Sequence, residues 1–133
     1  MERIVLSRTG QGPLAFEGEM LSAATGKMAS GKGRSRWHNL AVYQTAGGKY
    51  VVAILYETEW PGEHGHSLAR VVDTAAEVPA VFREYDPSER VHPLPDHYEK
   101  AKLDQNRRIN LLVQDYQQRV TEVLGDKFVE TVA

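Results

Sequence analysis

The sequence predicts an α+β domain, a mainly antiparallel sheet of about five strands followed by two helices, the C-terminal one long. Three observations carry that expectation. Residues 14–22 alternate, with Leu14, Phe16 and Met20 on one side and Glu17 and Glu19 on the other, the period of a half-buried strand. Gly47 and Gly48 separate two strand-like runs, as in a tight hairpin. Ile109, Val113, Tyr116, Val120 and Val123 recur at intervals of 4, 3, 4 and 3, one face of an amphipathic helix. A chain of 133 residues fits a single domain able to bury a core without staples. It divides into a sheet with a short helix (1–85), a proline-containing linker (86–95) and a long helix (96–124).

Taken in order, residues 3–7 are a short apolar run, and Thr9-Gly10-Gln11-Gly12-Pro13 is a turn by composition. The alternating strand follows, and then a loop over 25–35 that holds three glycines and no periodicity. Pairing outward from a two-residue type I′ turn at Gly47-Gly48 sets Tyr43 opposite Val52, Ala41 opposite Ile54 and Leu40 opposite Leu55. The same register sets His38 opposite Glu57 and Arg36 opposite Glu59, so that opposite charges meet. Both faces are apolar near the turn, which places this hairpin centrally and covers it on both sides.

Trp60-Pro61-Gly62-Glu63-His64-Gly65 reads as a second turn and 67–73 as another strand. Thr74-Ala75-Ala76-Glu77 has the form of a capping box, ahead of Val78, Val81, Phe82 and Tyr85 on one helical face. Pro79 is tolerated only in a first turn, which moves the helix start toward residue 78. The linker holds three of the six prolines. Leu112 and Leu124 flank the apolar seam of the final helix, and Gly125 stops it. A helix over 96–124 spans about 44 Å against an expected radius of gyration of about 14 Å. Its polar half, with Lys100, Lys102, Arg107 and Arg108, is therefore expected to project or to meet a partner.

Composition excludes several chemistries. With no cysteine there is no disulfide framework, no cysteine-ligated zinc or iron–sulfur centre and no thiol nucleophile. The longest apolar run, 51–56, is far short of the roughly 20 residues of a membrane span. The start, Met1-Glu2-Arg3 and three apolar residues, is too short for a signal peptide, so a cytoplasmic location without membrane contact is expected. The net charge of -2 hides a division along the chain. Residues 20–56 carry five cations and no acid, whereas 57–89 carry eight acids against Arg70 and Arg83. Such segregation bears on partners.

The acid-free stretch supplies the first candidate site. Lys27, Lys32, Arg34, Arg36 and Lys49, with Trp37, Tyr43 and Tyr50 nearby, combine cations that track phosphates with rings that stack on bases. Within it, residues 26–33 nearly spell a phosphate-binding P-loop. Gly33 stands where Ser or Thr must hold magnesium, and strand follows where a helix is needed, so nucleotide hydrolysis is rejected. His64 and His66, with Glu63, are weak metal candidates, because a site needs three or four ligands and the sequence does not place His38, His92 or His97 beside them. Glu57 and Glu59 share a strand face and could act with the histidines as an acid–base pair. No Gly-x-Ser-x-Gly elbow is present, no catalytic residue is assigned, and no cofactor is expected.

Residues 36–60, above all Tyr43-Gln44-Thr45-Ala46-Gly47-Gly48-Lys49-Tyr50-Val51, resemble a segment of small bacterial proteins of plasmid or phage type. The resemblance covers about a fifth of the chain and implies an accessory protein of a mobile element, with no catalytic residue to transfer. The sequence thus leads to a small non-enzymatic binding or regulatory protein acting through a protein–protein interface, as a homodimer or on another protein. A nucleic-acid binder using residues 27–36 and an enzyme with Glu/His chemistry are the alternatives.

Overall fold

A computed structural model describes residues 1–26, 35–91, 99–125 and 128. Five strands follow one another: β1 (Glu2–Arg8), β2 (Gln11–Thr25), β3 (Arg36–Thr45), β4 (Tyr50–Thr58) and β5 (His66–Val72). A 3₁₀ turn over Ala75–Glu77 leads into α1 (Val78–Glu84), and α2 (Glu99–Leu124) closes the fold. The strands form one antiparallel sheet in sequence order, so every connection within it joins neighbours. The predicted α+β architecture is the observed one. No helix among the described residues is long and apolar enough to cross a membrane.

The central hairpin is built one residue differently from the expected register. Thr45 donates its amide to the Lys49 carbonyl at 2.8 Å, and Gly48 donates to the Thr45 carbonyl at 2.9 Å. The loop is therefore three residues long, 46–48, and only Gly48 takes positive φ, at +86°. A type I turn closed by one left-handed residue has this form, and the Thr45 hydroxyl supports it by accepting from the Lys49 amide at 3.0 Å. Tyr43 consequently pairs with Val51, His38 with Tyr56, and Arg36 with Thr58. A shift of one residue exchanges the faces of a strand. The Arg36–Glu59 and His38–Glu57 pairings are thus overturned.

The corrected register sorts the side chains into two apolar layers. Leu40, Val42, Val52, Ile54 and Val72 face the helices and pack with Val78, Val81, Phe82, Tyr116 and Val123. Tyr43, Val51 and Ala69 face the other way, against Ile4, Leu6, Leu14 and Phe16. That second layer exists because the sheet curls until β1 meets β5, where Thr9 donates to the Ser67 carbonyl at 2.9 Å. An irregularity between Met20 and Ser22 inverts the alternation of β2. Met20 stays on the curled-in face, while the Ser22 hydroxyl reaches the Val123 carbonyl of α2.

The helices depart from expectation in detail. Pro79 lies in the first turn of α1, where its missing amide costs no helical bond. The Thr74 hydroxyl donates to the Glu77 carboxylate at 2.9 Å and caps no backbone amide, so the capping box is not formed. The Ser88 amide and hydroxyl close on Asp86 at 2.9 and 2.7 Å, which holds the Asp86 carboxyl below its usual range. The rest of the linker, from 92, and the expected helix start at 96 lie outside the described residues. Along α2 the buried residues are Gln105, Leu112, Tyr116 and Val123, while Val113 and Val120 are half-buried. The buried stripe is turned by roughly 40° from the predicted seam, since α2 lies across β2 and β3 and meets them along a different line.

Gly18 shows how closely the curled strands approach. A Cβ at this position would stand 2.3 Å from the Gln44 carbonyl oxygen of the neighbouring strand. Gly18→Ala must push two paired backbones apart and is expected to cost about 1–3 kcal/mol. The midpoint of urea unfolding checks this, and an unchanged midpoint refutes the close approach.

Candidate functional site

The far end of the hairpin gathers the ionisable side chains. Arg36 and His38 open β3 and point to the helix side with Tyr56 of β4, because residues two apart share a face. The turn after β4, held by the Glu63 amide donating to the Trp60 carbonyl at 3.2 Å, carries Glu63 back over them. Arg36 Nε and Nη2 donate to Glu63 Oε1 and Oε2, each at 2.9 Å, in a bidentate pair. The Tyr56 hydroxyl donates to the same Oε1. The Arg36 guanidinium lies 4.4 Å from the Trp60 ring centroid, and that of Arg108 lies 5.5 Å from it. Arg36 is only 6% exposed, and the Glu63 side chain is as deeply enclosed.

His38, with no exposed surface, sits beside this pair. Its Nε2 lies 3.0 Å from the Tyr85 hydroxyl, and the rings of Tyr56, Tyr85 and Tyr116 surround it at 5.2, 5.4 and 5.0 Å. Among the described residues no hydrogen-bond partner meets Nδ1. Burial lowers the His38 pKa to about 4, so the ring is neutral near pH 7. Burial raises Tyr56, Tyr85 and Tyr116, and at Tyr56 the Glu63 carboxylate adds to the effect. The Tyr116 hydroxyl donates to the Phe82 carbonyl at 2.7 Å and so ties α2 to α1.

These states limit the chemistry. An imidazole titrating near pH 4 is a weak base at neutral pH, and the raised phenols hold their protons. The Glu63 carboxylate accepts from Arg36 Nε, Arg36 Nη2 and the Tyr56 hydroxyl. The cluster is a buried ion pair among tyrosine and tryptophan rings, with the Arg108 guanidinium on the Trp60 ring beside it. It orders the junction of β3, β4, α1 and α2.

The predicted cation patch is not assembled by the described residues. Arg36 belongs to the buried pair, and Lys49 lies at the other end of β3, by the turn, 3.5 Å from Asp73. Lys27, Lys32 and Arg34, with most of the P-loop-like segment, lie outside the described residues. Tyr43 packs edge-on against Phe16 and Tyr50 against Phe128, which places both rings in the apolar layers. His64 is exposed, and the His66 Nε2 accepts from Arg90 Nη2 at 2.9 Å. Desolvation and the Arg90 charge lower the His66 pKa. Among the described residues no three His, Asp or Glu side chains are grouped to hold a metal ion. Arg108, expected to project with the polar half of α2, is instead drawn to Trp60 and to Asp104 at 2.9 Å.

One further feature was invisible in the sequence. The strands β1 and β5 are joined by two bonds, from the Thr9 amide to Ser67 O and from the Ser67 amide to Thr9 Oγ1, both 2.9 Å. In an antiparallel strand alternate residues turn their amide and carbonyl to the same neighbour. Ala69 and Val71 therefore direct theirs as Ser67 does, away from β4. Among the described residues no strand pairs with β5 on that side. A hollow of about 480 Å³ follows this edge, bordered by Arg8, Thr9, Gln11 and the run from His66 to Val71. Beyond the Thr9–Ser67 clasp a second hollow of about 430 Å³ opens onto Ala41, Tyr43 and Ala53.

No protein-family model, curated protein or solved structure matches this chain.

Two outcomes are expected of the cluster. Glu63→Gln leaves Arg36 buried without its counter-charge and should cost about 3–5 kcal/mol, whereas Arg36→Met with Glu63→Leu, which removes both charges, should recover most of the loss. Urea unfolding of the three proteins measures this, and equal losses in the single and double variants contradict it. The His38 shift makes stability depend on pH. The folded pKa of about 4 lies below the ordinary 6.5, so the unfolded chain binds the proton first. The contribution is complete above pH 6.5 and should fall by about 3 kcal/mol as the pH drops toward 4. His38→Gln should flatten that part of the curve, and parallel curves for the two proteins would exclude this origin.

Proposed function

We propose that this protein is a small, non-enzymatic binding or regulatory protein that acts through a protein–protein interface. The contrast between its buried cluster and its sheet edge supports the reading. Its chemistry-bearing residues Arg36, Glu63 and His38 are enclosed, the first two bonded to each other, whereas the edge of β5 lines a hollow and pairs with no further strand among the described residues. Unpaired strand edges are the surfaces on which another chain can continue a sheet. Large apolar side chains left outside add to it: Met20 is 54%, Val71 44% and Leu103 71% exposed. The resemblance of residues 36–60 to plasmid- and phage-type proteins extends the reading to an accessory protein of a mobile element, working in the cytoplasm.

The test is site-specific photo-crosslinking in cells of the source organism, with the crosslinking residue placed singly at Met20, Val71, Leu103 or Leu111 of the full chain. At least one position should give a discrete protein adduct that withstands nuclease. Adducts at no position, or adducts that nuclease removes, overturn the reading, the latter in favour of nucleic acid bound through Lys27, Lys32 and Arg34.

A further inference from the structure

We propose that the open edge of β5 takes up an extended segment of a partner protein in which apolar and acidic residues alternate, added to the sheet as a sixth strand. The inference rests on the binding reading above and specifies its partner. The backbone groups of Ala69 and Val71 face the hollow and, among the described residues, no strand pairs with them there, while those of Ser67 are already engaged by Thr9. A segment entering there gains main-chain bonds from the two free residues and is stopped at the clasp.

The side chains of β5 then set what the segment must carry. Ala69 and Val71 lie on the curled-in face, where Ala69 is buried and Val71 is 44% exposed. A residue beside them covers Val71 if it is apolar. Arg70 lies on the opposite face, as its pairing with Val52 requires. A residue next to it on that face meets a guanidinium, and an acid there is favoured. Arg8 borders the same hollow, with its Nε donating to the Gly12 carbonyl at 2.8 Å, and Arg90 stands at His66. Arg70 also pairs with Glu84 at 3.0 Å, an exposed pair of the kind that contributes little and yields to a competing carboxylate. Charge complementarity thus selects an acidic strand. It also disfavours a second copy of this chain, since edge-to-edge pairing of β5 with itself brings two Arg70 side chains together.

The test uses the full chain and a labelled heptapeptide of alternating valine and glutamate, with a valine–lysine peptide as its counterpart. Fluorescence anisotropy should show the glutamate peptide binding and the lysine peptide binding roughly tenfold more weakly. Amide hydrogen exchange should show new protection at Ala69 and Val71. Arg70→Glu should reverse the preference between the peptides. Val71→Pro, which removes an amide that β4 does not use, should abolish binding while the circular dichroism spectrum stays unchanged. Equal binding of both peptides, protection confined to other residues, or self-association through β5 in place of peptide binding overturns the proposal. If crosslinked partners form through Met20, Leu103 or Leu111 while the peptide leaves Ala69 and Val71 unprotected, the strand inference fails alone. If no position crosslinks to protein, the binding reading fails with it.

Discussion

The buried pair of Arg36 and Glu63 is the constraint around which the rest of this fold is arranged. A guanidinium withdrawn from water needs a counter-charge in good geometry, and here the turn between β4 and β5 delivers it. Bringing Glu63 back over β3 brings the Trp60 ring onto the guanidinium and sets where β5 begins. Tyr56 completes the carboxylate's coordination and at the same time forms one wall of the His38 enclosure. The remaining walls, Tyr85 and Tyr116, come from the end of α1 and the middle of α2. One ion pair thus connects the sheet to both helices.

The opposite face of the sheet follows a different logic. Among the described residues it holds no buried ion pair, and its layer of Ile4, Leu6, Leu14, Phe16 and Tyr43 is covered because the sheet curls upon itself. Curling shortens the distance between the first and last strands without pairing them. The Thr9–Ser67 clasp closes the curl at one point and leaves β5 with open backbone beyond it. The enclosed polar cluster and the sheet edge therefore occupy different parts of the molecule. The helix side encloses the polar chemistry, and the rim of the curled side ends in a strand edge that no described strand pairs with.

Much of the architecture was legible. Alternation in residues 14–22, a hairpin at Gly47-Gly48, Pro79 in a first turn and Gly125 after the last helix each act over a few residues, and the elements lie where they were expected. The exceptions are that the alternation breaks after Met20 and the turn is one residue longer. The errors arose where a local signal has two nearly equal solutions. Gly47-Gly48 suits a two-residue turn as well as the end of a three-residue one, and the choice was made by a single hydroxyl, that of Thr45. That one residue of register decided whether Arg36 met Glu59 or Glu63. Thr74 and Glu77 could cap or bond each other, and they bond each other.

The sequence by itself determined the class, the order of elements, the absence of thiol chemistry and the charge division between 20–56 and 57–89, because these depend on composition and on short-range periodicity. Only the tertiary structure decided which groups are enclosed and which are open. Arg36, read in the chain as a surface cation, became the buried centre of the fold, since burial is settled by what packs from distant segments. The curl that leaves Ala69 and Val71 without a strand beside them is a property of the whole sheet, the accumulated twist of five strands, and no segment of the chain encodes it alone.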